Sequence, residues 1–394
     1  MAMKVESQCG TLARAATVGM YLLAAATAVP AQAVMNATLR PEARVDGNDD
    51  LVSFSFIRDL VPLRDGSVLV AEPRESRLRQ FAADGTPRGT VGRGGAGPGE
   101  FRAIRGIGLI GDSIWVLDVS LRRTTWLASD GTTLGTVRWD LADDARSVTG
   151  FVIGGYLRSG LAWGERSAAP QSAADESAPR RIELLSPTGA ERVRALAEVA
   201  SEHARFRWLD GPTIEFGLQP FADAPIVLGA GASDRIVIVD RRTQFAASRR
   251  FPVTAVGANG DTLWTLRIGY RPRPISRGVR DSVVRRITRG LARSGATEAD
   301  VRAILHLPES FTPVSDAFED ADGRIWLRRE EDGPRVTYQR ISTAGTFDLE
   351  VVVDRALRLR AARGATVWGI RLDEDGVPSL ERYTVLSGRA EASP

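Results

Sequence analysis

Between Ile57 and Trp139 one pattern is written twice, and no other feature constrains the fold as strongly. The first copy runs Leu63–Glu72, Arg77–Gly85 and Arg88–Val91; the second runs Gly111–Asp118, Arg123–Gly131 and Leu134–Val137. Each copy is a series of short apolar runs broken by Asp-Gly or Gly-Asp, the strongest local signal for antiparallel hairpins. Four such strands make one blade of a β-propeller. The expected fold is therefore all-β, a six-bladed β-propeller with a small helical insertion.

The rest of the chain is read against that unit. Phe151–Tyr156, Gly160–Trp163, Arg181–Leu185 and Arg192–Leu196 predict a third blade, interrupted by the polar loop Ser167–Pro179. Arg235–Asp240 and Thr262–Arg267 both look like second strands, but they lie too close in sequence for two blades. Placing them in one blade gives six; seven, with one incomplete, is the alternative count. Pro313–Val352 supplies the fifth blade and Leu357–Ile370 opens the sixth. Leu51–Phe56 alternates in the strand manner and is expected to close the ring against Glu381–Leu386. Trp115, Trp264, Trp326 and Trp368 hold the place of Leu69 in their strands, which points to packing between blades.

Within about 275–308 the period changes. Val279, Val283, Ile287 and Leu291 recur every four residues, predicting an amphipathic helix over Arg277–Arg293. Thr297 is placed to cap a second, short helix carrying Val301, Ile304 and Leu305, ended by Pro308. Because blade strands alternate in direction, this insertion, the Gly92–Phe101 loop, the Ser167–Pro179 loop and the Glu330–Pro334 turn are expected on one face.

Residues 1–33 read as a signal peptide: Lys4 and Arg14, an apolar run from Ala15 to Val29, then Ala31-Gln32-Ala33. The expected propeller domain is 34–394, periplasmic or secreted, with no membrane span after cleavage. The only cysteine, Cys9, falls inside the signal, so the mature chain would lack disulfides, cysteine metal ligands and cysteine nucleophiles. The pI near 9.4 does not indicate nucleic acid. Without the signal, 50 basic residues, all arginine, face 48 acids. With little to titrate near neutrality, a small arginine excess raises the pI without making a phosphate-binding footprint.

Gly92–Gly97 spells G-x-G-x-x-G, but Pro98-Gly99-Glu100-Phe101 follows it where a dinucleotide fold needs a helix. It reads as a tight loop between blades. Asp320–Gly323 and Asp373–Gly376 lack the ligand series of a calcium loop and read as turns. Glu72, Asp118 and Asp240 end strands near the expected loop-rich face, where they either cap turns or offer oxygen ligands to calcium. Arg123, Arg242 and Arg329 belong to arginine pairs after strand ends, suited either to bidentate binding of a carboxylate- or sulfate-bearing ligand or to surface pairing with the neighbouring Asp118, Asp240, Glu330 and Glu331. Two histidines, His203 and His306, far apart in sequence, leave little for a histidine metal site or a Ser-His-Asp set.

Gly97-Pro98-Gly99-Glu100-Phe101, the Asp-Gly punctuation and the Val-x-Asp/Glu strand ends together resemble exported bacterial six-bladed propellers related to the NHL-repeat proteins. The resemblance implies a fold and a binding surface; many such proteins have no assigned activity. The reading is a binding module for an unidentified protein or small polar ligand on the loop-rich face. Its alternative is a calcium-assisted hydrolase or lyase of the kind seen in lactonase and amidating-lyase propellers; no other cofactor is expected.

Overall fold

The computed structural model describes residues 34–49, 52–139, 151–166, 179–200, 219–291 and 295–387. The signal-peptide reading, the Ser167–Ala178 stretch and His203 lie outside the described residues. Both copies of the repeated pattern become four-stranded antiparallel sheets. The first contains Leu60–Pro62, Val68–Glu72, Arg77–Phe81 and Pro87–Val91. The second contains Ile104–Ile110, Ser113–Asp118, Arg123–Leu127 and Thr133–Arg138. The hairpins turn where glycine takes a positive φ that other residues resist, as at Gly66 and Gly131.

The third sheet (Val152–Tyr156, Ala162–Arg166, Arg180–Leu185, Arg192–Val199) and the fourth (Ile226–Leu228, Arg235–Val239, Arg250–Gly257, Thr262–Gly269) repeat the order. An eight-stranded sheet follows. One half is Asp316–Glu319, Ile325–Glu330, Arg335–Ile341 and Phe347–Asp354; the other is Leu357–Arg363, Thr366–Leu372, Pro378–Ser387 and Met35–Val45. First strands of most adjacent sheets neighbour one another, and the last meets the first where Leu357–Arg363 touches Leu60–Pro62. The arrangement is propeller-like.

Three sequence expectations are corrected. The strand that closes the ring is Met35–Val45, antiparallel to Pro378–Ser387 and touching Phe347–Asp354 in parallel. Val52–Ser53 pairs only with Asn48–Asp49. Trp264 lies on a fourth strand, its indole donating to the Thr343 carbonyl at 3.1 Å; the second-strand indole of the third sheet is Trp163. In the helical insertion, α1 (Arg277–Gly290) packs through fully buried Val284 against Ala296, Val301 and Leu305, while Val279 is exposed. The short helix α2 (Glu298–Ile304) carries a reciprocal cap between Thr297 and Asp300.

The core is a chain of apolar clusters between adjacent sheets. One joins Val70 and Phe81 of the first sheet to Trp368 and Ile370 of the last; another joins Leu69 and Leu78 to Ile107 and Ile114. Inner-strand glycines receive the second-strand indoles. A Cβ on Gly108 would lie 2.3 Å from the Trp115 ring, and one on Gly154 2.4 Å from Trp163. A chain starting after Val45 would expose the edge of Pro378–Ser387 and lose the buried contacts of Ala37 and Val45. It should melt about 10 °C or more below the chain starting at residue 34, by circular dichroism.

Candidate functional site

Each residue singled out in the sequence has a place in its own sheet. Glu72, fully buried at the end of its strand, accepts from Arg77 Nε at 2.9 Å and Arg79 Nη2 at 2.6 Å. Asp118, at the same position in the second sheet, accepts from the backbone N–H groups of Arg102 (2.7 Å), Ala103 (3.3 Å) and Leu121 (2.9 Å). It fastens the preceding loop to the strand end. Arg123 holds that loop from the other side, donating to the carbonyls of Ala96, Gly97 and Glu100 at 3.0, 2.7 and 2.6 Å. Asp240 and Arg242 form a bidentate pair at 2.7 and 2.6 Å. Arg329 donates to Gln339 Oε1 at 2.9 Å and to the Gly269 carbonyl at 3.2 Å. Of the six, hydrogen bonds unite only Asp240 with Arg242. Among the described residues no three His, Cys, Asp or Glu side chains gather as metal ligands.

A concave feature lies where the inner strands converge. A cavity of about 750 Å³ is lined from all four small sheets and both halves of the large one. Its walls are mostly inner-strand backbone with the indoles of Trp115 and Trp163, and Trp163 Nε1 donates to the Gly229 carbonyl at 3.0 Å. Trp115 Nε1 is shielded from solvent and has no hydrogen-bond partner among the described residues.

Charge gathers where the inner strands begin. Asp59, one residue before Leu60–Pro62, lines the cavity with Arg58, Arg105, Arg360 and the ion-paired Glu165 and Arg180. Arg360 is bound to Asp316 at 2.9 Å. Arg58 rests over the Phe56 ring at 6.0 Å, and neither Arg58 nor Arg105 has a hydrogen-bond or ion-pair partner among the described residues. Burial in the protein mass pushes the Asp59 carboxyl up to about 6, against the pull of Arg360, Arg58 and Arg105. The carboxylate approaches Gly106, where a Cβ would stand 3.6 Å from Oδ2.

A second carboxylate sits where an inner strand ends. Glu319 accepts from Ala230 N and Ser233 Oγ, both at 3.1 Å, and faces Arg235 at 3.7 Å. Burial pushes it up to about 7 despite these partners. Away from the cavity, His306 Nε2 lies 3.2 Å from Asp223 Oδ2, which also accepts from Thr243 N and Oγ1 at 3.0 and 2.8 Å. Burial opposes ionisation of Asp223, but the bonds from His306 and Thr243 outweigh it and hold the carboxyl well below the usual range.

The cavity residues do not share the second-strand-end position of Glu72 and Asp118. The available signal was a charge at or just before the first strand of several units: Asp59, Arg105 and Asp316.

No family model matches the chain, and no curated protein does. Solved structures align over most of its length. A protein described as exported, from Bacteroides fragilis, is 9% identical over 90% of this chain and 100% of its own, with a TM-score of 0.47. A DUF4221-family member from Bacteroides vulgatus is 7% identical over 89% and 99%, with a TM-score of 0.49. Regucalcin, a calcium-binding protein from Agrobacterium tumefaciens, is 11% identical over 90% and 97%, with a TM-score of 0.40. Among the described residues, no helix is long and apolar enough to cross a membrane.

Glu319 sets a pH dependence whose sign follows from its raised pKa. Between the ordinary value of 4.5 and about 7 the folded state holds a proton that the unfolded state releases. Stability is therefore greatest at the acid end of this window and falls as pH rises through it. Asp59 adds in the same direction between 3.8 and about 6. Melting temperature should drop from pH 5 to pH 8 in differential scanning calorimetry, and Glu319→Gln should flatten most of the drop.

Proposed function

We propose that this chain is an exported six-bladed propeller that binds a small anionic ligand at the mouth of its central cavity. The count of six treats the eight-stranded sheet as two four-stranded blades sharing Met35–Val45 at their seam. One observation carries the ligand reading. Two donor groups border the same cavity without acceptors among the described residues, the Arg58 and Arg105 guanidinia, and the Trp115 indole lines the wall beside them. Unpaired donors in a recess favour an acceptor-rich anion, and guanidinium binds carboxylate or phosphate in two-point fashion.

Asp59 tunes the site. Protonated, it leaves the arginines uncompensated and adds a donor; ionised, it competes with the ligand for them. Binding should therefore strengthen as pH falls through about 6. The charges at second-strand ends hold the loops that frame this mouth, and we assign the direct contacts to Arg58, Arg105 and Trp115.

The test is a tryptophan-fluorescence titration with citrate, an anion rich in carboxylates. A saturable change should appear in the wild type and vanish in Trp115→Phe. The Arg58→Gln/Arg105→Gln variant should bind about tenfold or more weakly. Equal citrate affinity in that variant and the wild type would overturn the reading.

A further inference from the structure

The helical insertion is joined to the ring by two extended limbs. Phe311 N donates to the Arg273 carbonyl at 2.8 Å and Ile275 N to the Glu309 carbonyl at 2.8 Å, with an antiparallel bridge between Pro274 and Ser310. Against this ladder and the segment before Arg250–Gly257 lies a second cavity, about 850 Å³, separate from the central one in every lining residue.

Its charges are sorted by position. Arg249 and Arg271 stand together, because Tyr270 N donates to the Arg249 carbonyl at 2.9 Å and Arg271 follows Tyr270. Neither guanidinium has a hydrogen-bond or ion-pair partner among the described residues, and Arg249 holds a positive φ of 52°. Such backbone is costly for a side chain of this size and is found where the surroundings impose it. Glu309, likewise unpaired among the described residues, lies opposite Ile275, four residues along the limb from Arg271. At the extended rise that places the two ends about 13 Å apart before side chains reach inward. Ala246, Pro272 and Pro274 line the cavity with apolar surface.

Tyr270 supplies an independent observation. Its ring is nine-tenths buried, packed edge-on against Phe251 at 5.8 Å, and its hydroxyl is shielded from solvent with no partner among the described residues. A buried hydroxyl without a partner carries a desolvation cost that a ligand acceptor would remove.

We propose that this cavity binds a short peptide with free termini, about three residues long, in extended conformation. Its carboxylate lies on Arg249 and Arg271, its ammonium group on Glu309, and its middle on the proline wall. An extended tripeptide spans about 10 Å, which fits the separation once the side chains reach in. A simple anion would leave Glu309 repelling it, and a simple cation would meet two arginines. Only a ligand carrying both charges at the two ends satisfies the whole cavity.

The experiment uses trialanine with the chain labelled by 3-fluorotyrosine. The sequence has five tyrosines, and Tyr270→Phe assigns the Tyr270 resonance. Trialanine should shift that resonance saturably, while acetylation of its amine or amidation of its carboxylate should each weaken binding about three- to tenfold. Glu309→Gln should erase the penalty for acetylation alone, and Arg249→Gln/Arg271→Gln the penalty for amidation alone. All three positions are exposed, so these variants should keep the wild-type melting temperature. A Tyr270 resonance unmoved by millimolar trialanine, or moved equally by the blocked peptides, would overturn the proposal. Neither result bears on citrate at the central cavity.

Discussion

The ring depends on one meeting of distant segments. Met35–Val45 takes the open edge of Pro378–Ser387 and at its start lies alongside Phe347–Asp354. Without it the last sheet would end on a row of unsatisfied backbone groups, and the neighbouring sheets would lose the brace that holds them at a fixed angle. Bringing residues more than 300 positions apart into register costs little more entropy than a much shorter loop, because the cost grows with the logarithm of length. What the closure secures is collective. Several apolar clusters of the ring are shared by two adjacent sheets, so none of these is complete until its neighbour is in place.

Much of this was legible in the residues. The first two sheets follow the repeated pattern almost strand for strand, because Asp-Gly turns and alternating apolar runs are local signals that tertiary packing has no reason to override. The helical insertion follows from its period and its Thr297 cap. The closing strand was hidden for a physical reason. As an outermost strand it is mostly exposed, carries little apolar alternation, and holds Pro41 where the pairing register shifts. Leu51–Phe56 had the better pattern, but Phe54 spends it on the core beside Phe81 and Trp368 instead of on a ladder. Trp264 misled in a similar way. Its indole covers Gly345 on the far side of a sheet boundary, a role the strand pattern alone does not distinguish from that of Trp163.

The charged residues divide into those the fold consumes and those it leaves over. Glu72 engages Arg77 and Arg79; Glu183 engages Arg166 and Arg192 at 3.1 and 3.3 Å; Glu381 engages Arg371 at 2.9 Å. In each case an acid buried within a sheet is neutralised by arginines on a neighbouring strand, with donors that offset its desolvation. Among the groups left over, Arg58 and Arg105 around the central cavity and Arg249, Arg271 and Glu309 under the helical insertion lie just before strands, in their first two residues, or in connections.

The indoles seated on inner-strand glycines have a consequence for how this architecture can diversify. Gly108 and Gly154 leave no room for even a methyl group beneath Trp115 and Trp163, so the bore has its calibre set by backbone and aromatic ring together. Single replacements along that wall would unseat a tryptophan before they reshaped the lumen. Related chains seeking a different cargo are thus steered toward the residues at the rim, where charge can be exchanged while the barrel wall stays untouched.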